Sequence, residues 1–245
     1  MGRFLLRPRW LAGLALVIVV GVSFGRLGFW QLRRLDERHA YERLVATRLA
    51  DAPVPVATAL AAEPGDVAFR RVTATGTFDP AHEVVLYGRS QDGQTGNHVL
   101  TPLRLADGTA IAVDRGWVPL AEATPPIAAA APPAGEVRVT GVLFPSEVAG
   151  TPSSEEGPET TFAKADLPRL AAQVPYPLAP VYLLEAGQTP AQGALPRLAP
   201  LPDPAQSPPH LSYAIQWFTF AAIAVVGFAI LVRREYRRSL LADPS

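Results

Sequence analysis

Two long apolar runs stand near opposite ends of this chain, and the pattern between them is short and alternating. LAGLALVIVVGVSFG occupies Leu11 to Gly25, inside an apolar stretch from Trp10 to Phe29 that only Arg26 interrupts. A second run opens at His210 and, from Ala214 to Val232, is apolar apart from Gln216 and Thr219. At about 1.5 Å of rise per residue, each run crosses a hydrocarbon core of about 30 Å. The spacing predicts transmembrane helices over 10–30 and 210–232. Leu32, Leu35, Leu44, Val45 and Leu49 then recur near helical spacing with Arg and Glu between them. That periodicity extends the first helix over 32–50, until Pro53 and Pro55 stop it.

The middle of the chain switches to strand patterning. Phe69–Phe78 alternates imperfectly, DPAHE turns the chain, and Val84–Ser90 reads as the next strand. The best local signal is HVLTPLRLADGTAIAVDRGWVP, His98–Pro119, where two β-rich runs flank Asp107-Gly108, a pair favoured in tight hairpin turns. Gly135–Phe144 and Val181–Gly187 add two strands, and Asp166 is placed to cap a short helix over 166–173. Thr151–Thr161 reads as loop, and Gly193–Pro209 as a proline-rich tether. The expected fold is therefore an α+β membrane protein: two transmembrane helices flanking one β-dominated domain, residues 31–209.

Arginine placement orients it. Arg233, Arg234, Arg237 and Arg238 crowd the exit of the second run, with no Lys or Arg between Arg197 and Arg233. By the positive-inside asymmetry, the tail 233–245 is cytoplasmic, and so is the N-terminal segment 1–9. The central domain is then extracytoplasmic. Bulky LGFWQL follows the first run in place of a small-x-small cleavage site, which predicts an uncleaved anchor.

Composition removes several function classes. The chain has 245 residues and no cysteine, which excludes disulfides, thiolate zinc sites and iron–sulfur clusters. Its 22 basic and 22 acidic side chains balance, leaving no electrostatic footprint for nucleic acid. The 26 prolines predict many interrupted, extended segments. No nucleophile elbow, zincin helix, phosphate loop or dinucleotide fingerprint occurs, and no nucleophile–base pair is visible, so the chain reads as a non-enzyme. The four histidines, His39, His82, His98 and His210, are widely spaced and form no metal motif.

Two places carry candidate chemistry. Asp114-Arg115-Gly116-Trp117 closes a strong strand with a charged pair, a glycine and a large aromatic. It reads either as a strand end packing on the core or as a docking edge, where Arg115 and Trp117 meet a partner carboxylate or a haem propionate. In the second apolar run, helical spacing puts His210, Tyr213, Trp217 and Phe220 on one stripe and Ser212, Gln216 and Thr219 on another. The first run carries Gly21, Gly25 and Gly28, a small-residue pattern suited to close helix contact. The expectation is that the polar stripe bonds this glycine face, leaving the aromatic stripe for lipid, a partner or a flat ligand. Tyr213 and Trp217 serve equally as an interfacial belt or a ligand wall. The positive end of the helix dipole keeps His210 neutral, the form that binds haem iron.

Several of these segments together resemble the surfeit locus protein one family: LGFWQLRRLDER, the block from GTFDPAHEVVLYGRS through DRGWVP, GEVRVTGVLFPSE, and HLSYAIQWFTFA. The resemblance covers nearly the whole chain and is specific because the blocks occur jointly and in order. It implies a cytochrome c oxidase assembly factor, with two membrane spans around one extracytoplasmic domain, that helps supply or insert haem a into subunit I. It implies His210 as the haem ligand, with Tyr213 and Trp217 beside it. Implied partners are subunit I and its assembly intermediates, haem a synthase and membrane lipid. Nine residues precede Trp10, too few for a transit peptide, so a bacterial cell membrane is the expected location. The alternative is a haem-independent scaffold stabilising an oxidase assembly intermediate.

Overall fold

The computed structural model describes residues 7–62, 66–122, 124–147, 159–203 and 210–241. It divides into two compact units, Met1–Leu44 with Pro204–Ser245, and Val45–Asp203.

The first unit is a pair of helices. Helix α1 runs unbroken over Pro8–Ala50. It starts on a proline, whose fixed φ suits a first turn, and stops where the chain meets Pro53. The C-terminal helix, α4, covers His210–Leu241. Both are long and apolar enough to cross a membrane. The two-helix seam is built from rings over glycines. A methyl at Gly28 would lie 2.7 Å from the Phe218 ring, and one at Gly13 would lie 2.9 Å from Phe228. Phe29 meets Phe218 edge-on at 5.3 Å and Trp10 meets Phe228 at 6.2 Å. Ala214 and Val232 are buried along the same face. Small residues on one helix thus admit aromatic rings from the other, which gives close van der Waals contact along the seam.

The expected polar seam does not form. Ser212, Gln216 and Thr219 are exposed, and a methyl at Gly21 or Gly25 would touch nothing within 4 Å. The reason lies in Thr219, whose Oγ1 donates to the Ile215 carbonyl of its own helix at 2.8 Å. A hydroxyl satisfied one turn back needs no partner across the seam.

The second unit holds β1 (Val54–Pro55), α2 (Val56–Leu60), β2 (Arg71–Phe78), β3 (Val84–Gln91), β4 (Gln94–Leu105), β5 (Ala110–Pro119), β6 (Glu136–Pro145), β7 (Thr161–Phe162), α3 (Leu167–Ala171) and β8 (Leu178–Thr189). The strands pair in the order β1-β2-β6-β8-β5-β4-β3-β7, and β2 also pairs with β4. That last pairing closes β2, β6, β8, β5 and β4 into a five-stranded barrel. All its seams are antiparallel except β5–β8. At the closing seam the backbones come so near that a methyl on Gly76 would stand 2.2 Å from the Arg104 carbonyl oxygen. Alternate residues fill the interior, with Val72, Ala74, Ile111, Val113, Val139 and Leu183 among them, all at 0% exposure. On the outside, α3 packs Leu167 and Leu170 against Phe162, Leu86 and Leu100. Asp166 caps α3 as expected, its Oδ1 accepting from the Arg169 amide at 3.2 Å.

The turns differ in one respect. The β4–β5 connection at Asp107-Gly108 is a longer loop, where Asp107 accepts from the Thr109 amide at 2.9 Å and its hydroxyl at 2.7 Å. The tight two-residue turn is instead at Asp92-Gly93, between paired Gln91 and Gln94, with both φ values positive, 52° and 76°. Of the loop expected at Thr151–Thr161, residues 151–158 lie outside the described residues, and Thr161 begins β7. The tether expected from Gly193 is partly ordered on the barrel: Arg197 forms an antiparallel bridge with Trp117. Residues 204–209 lie outside the described residues.

Candidate functional site

His210 is the first residue of α4, and its side chain lies outside the described residues. The helix carries Tyr213, Trp217 and Phe220 onward along the same stripe. Tyr213 is 49% exposed and Phe220 39% exposed. Trp217 is half-buried, because Phe24 of α1 packs on it with ring centroids 5.4 Å apart. Phe24 also reaches Phe220 at 6.0 Å, and Trp217 meets Phe220 edge-on at 6.1 Å. The stripe is therefore not free of the first helix, as the spacing predicted. Its middle is stacked on α1, while Tyr213 and the outer face of Phe220 remain open.

A haem, which the resemblance implies, would need one or two axial donors and flat apolar walls; among the described side chains the exposed Tyr213 phenol could donate, and the Trp217 and Phe220 rings could form a wall. No group of three or more His, Asp or Glu side chains that would hold a bare metal ion converges among the described residues.

Arg115 and Trp117 sit elsewhere, and the structure corrects the docking reading. Arg115 has 0% exposure and Trp117 2%. The Arg115 guanidinium donates to Glu83 Oε2 at 3.3 Å and to Gln192 Oε1 at 2.7 Å, and lies over the Phe78 ring at 5.1 Å. Trp117 is covered by the Arg197 guanidinium, 4.1 Å from its ring centroid, and its Nε1 donates to the Arg89 carbonyl at 3.4 Å. The cause is strand parity: Ile111, Val113 and Arg115 alternate inward on β5, so the charge points into the barrel rather than out to a partner.

Sequence reasoning missed the residues around that guanidinium. Glu83 is 3% exposed, and its carboxylate accepts from Thr101 Oγ1 at 2.8 Å and from the Ile127 amide at 2.9 Å, besides Arg115. Asp114 accepts from the Gly116 amide at 3.0 Å and pairs with His98 Nδ1 at 2.8 Å. Glu185 is 1% exposed on β8. Its position in VYLLEAG, two residues after inward Leu183, was the available signal. At the rim, Asp79 accepts from Tyr176 at 2.8 Å and bonds His82 Nδ1 at 2.9 Å. Burial alone would raise the Asp79 pKa, but the bonds to Tyr176 and His82, with that from the Ala81 amide, together hold the carboxyl below its ordinary value.

With helix pair and barrel described, the profile of the SURF1 family matches residues 18–222. The chain belongs to the SURF1 family. A SURF1-like protein of Mycobacterium tuberculosis is 34% identical over 255 aligned positions, covering 98% of this chain and 91% of its relative. A SURF1-like protein of Monosiga brevicollis is 33% identical over 248 positions, covering 94% and 91%. One from Rickettsia felis is 28% identical over 223 positions, covering 88% and 92%. SURF1 proteins are oxidase assembly factors rather than a family of enzymes. The matched span of this SURF1 chain takes in the barrel, most of α1 and the aromatic half of α4, including His210, Tyr213 and Trp217.

Proposed function

We propose that this SURF1-family chain assists delivery or insertion of haem a into subunit I of a haem–copper cytochrome c oxidase. The observation that carries the reading is the aromatic stripe that follows His210 at the start of a membrane-length helix, with Tyr213 and Phe220 exposed and Trp217 braced on Phe24. His210 and Tyr213 offer axial donors, while Trp217, braced by Phe24, and Phe220 offer an apolar wall to one face of a macrocycle. A bound haem a would bring its iron coordination; the chain's part is to hold the group at the outer membrane boundary and pass it on.

Both termini are cytoplasmic in this reading and the barrel is extracytoplasmic, in a bacterial cell membrane. The arginine excess after Val232 supports that orientation. Partners are subunit I, its assembly intermediates and a haem a synthase, within surrounding lipid.

The test is co-expression with haem a synthesis, purification in detergent and absorption spectroscopy. Stoichiometric haem a in the wild-type chain, reduced at least about tenfold in His210→Ala, is the expected result. A haem-free chain that still captures subunit I would overturn haem handling and leave the second reading, a scaffold for an assembly intermediate. The burial of Arg115, which is held by Glu83 and Gln192 and so offers no free guanidinium to a haem propionate, is the feature that favours that scaffold.

A further inference from the structure

The buried polar end of the barrel plays no part in haem handling as proposed, and its charges do not balance. Arg115 follows Val113 inward on β5, and Glu185 follows Leu183 inward on the neighbouring β8, where Val113 pairs with Leu183. Glu83 closes the same end from the start of β3. Asp114 lies on the opposite face of β5, with His98 of β4 against it. Across the β6 seam Glu185 faces Gly141, which adds no charge. Three carboxylates, Glu83, Asp114 and Glu185, thus share one guanidinium, Arg115, and the His98 imidazole lies against Asp114 alone.

Hydrogen bonding decides where the extra proton sits. Both oxygens of Glu83 accept donors, and so do both oxygens of Asp114. Glu185 Oε2 and Arg115 Nε are buried without a partner among the described residues. Burial pushes the Glu185 carboxyl up to about 7, against the pull of Arg115 and with the push of Asp114.

Arg115 also holds a strap. Its second hydrogen bond goes to Gln192 Oε1, and Gln192 Nε2 donates to the Pro196 carbonyl at 2.8 Å. The strap then lies along β5: the Trp117 amide donates to the Arg197 carbonyl at 2.7 Å and the Arg197 amide returns a bond at 2.8 Å. Gly116 (φ 114°) makes room, since a methyl there would stand 2.1 Å from the Arg197 carbonyl oxygen. Gln91 Nε2 donates to the Leu198 carbonyl at 3.1 Å, and Arg197 reaches Gln94 Oε1 at 3.2 Å.

We propose that Glu185 and Arg115 form a proton-controlled latch, in which protonated Glu185 leaves Arg115 to Glu83 and Gln192 and keeps strap 192–198 closed, while ionised Glu185 competes for Arg115 and frees the strap. The closed state carries the raised pKa, near 7; the open state, with the carboxyl hydrated, returns towards the ordinary 4.5. Closure is therefore complete below the lower value, weakens as pH rises between the two, and levels off above 7. Opening grows by at most about tenfold per pH unit in that window.

Hydrogen exchange with mass-spectrometric readout on the full chain in detergent, corrected for intrinsic exchange rates, tests the latch. From pH 5 to pH 7, opening of 192–198 should rise at least about tenfold in the wild type and less than twofold in Glu185→Gln. Equal slopes in the two proteins would overturn the proposal. Gln192→Ala provides an arm that survives even if Glu185→Gln misfolds: its strap should exchange fast at both pH values, and a strap still protected at pH 5 would refute the link through Arg115.

Discussion

At Glu83 three donors converge on one carboxylate, and one of them is a guanidinium with no exposed surface. Glu83→Ala would strand that charge inside the barrel. Breaking a buried ion pair from one side costs about 3–5 kcal/mol, well above the worth of a surface pair. The urea midpoint of the variant should fall accordingly at pH 7, and a midpoint within experimental error of the wild type would show that Arg115 finds another route to compensation. Residues of this kind were half-legible. The inward parity of Arg115 after Ile111 and Val113 can be read from the sequence, as can that of Glu185 after Leu183. The partners could not, because Glu83 and Gln192 lie 32 and 77 residues from Arg115 in the chain. Without them, an inward arginine and a docking arginine share one local pattern.

At the scale of elements, the seam between α1 and α4 shows what a motif leaves open. Gly21, Gly25 and Gly28 make a small-residue pattern, yet only Gly28 of the three faces α4, and Gly13 takes the other contact. The helix face was ambiguous because two stripes of α4, one polar and one aromatic, compete for the seam, and side-chain volume decides it. Rings fill the grooves over glycine, while Thr219 satisfies itself along its own helix. Gly28→Leu should therefore push Phe218 aside and weaken the pair, lowering the thermal midpoint in detergent by several degrees. Gly21→Leu, facing open space, should leave it within about one degree. The reverse order would place the seam on the other glycine face. The strands were easier: β4 and β5 followed from their patterning, although the tighter of the two Asp-Gly turns proved to be Asp92-Gly93.

For the whole molecule, two apolar helices near the termini and a strand-rich domain between them were legible from hydropathy alone. Closure of the barrel was not, because it depends on the non-local pairing of β2 with β4 and on the parallel seam between β5 and β8. The absence of cysteine makes the proposed topology simple to check. A cysteine placed at Ser90, on β3, should react with a membrane-impermeant maleimide added to intact cells. One placed at Ser239, beyond the second apolar run, should react only after lysis. Labelling of Ser239→Cys in intact cells would invert the orientation. The strand order also has a consequence for synthesis. The last barrel strand in the chain, β8, sits in the middle of the wall between β5 and β6. A growing chain that has emerged only as far as α3 has every other wall strand and still lacks the one that joins them. The domain must wait, open-edged, until residue 189 is out, and only some twenty residues then separate barrel completion from the first turn of α4.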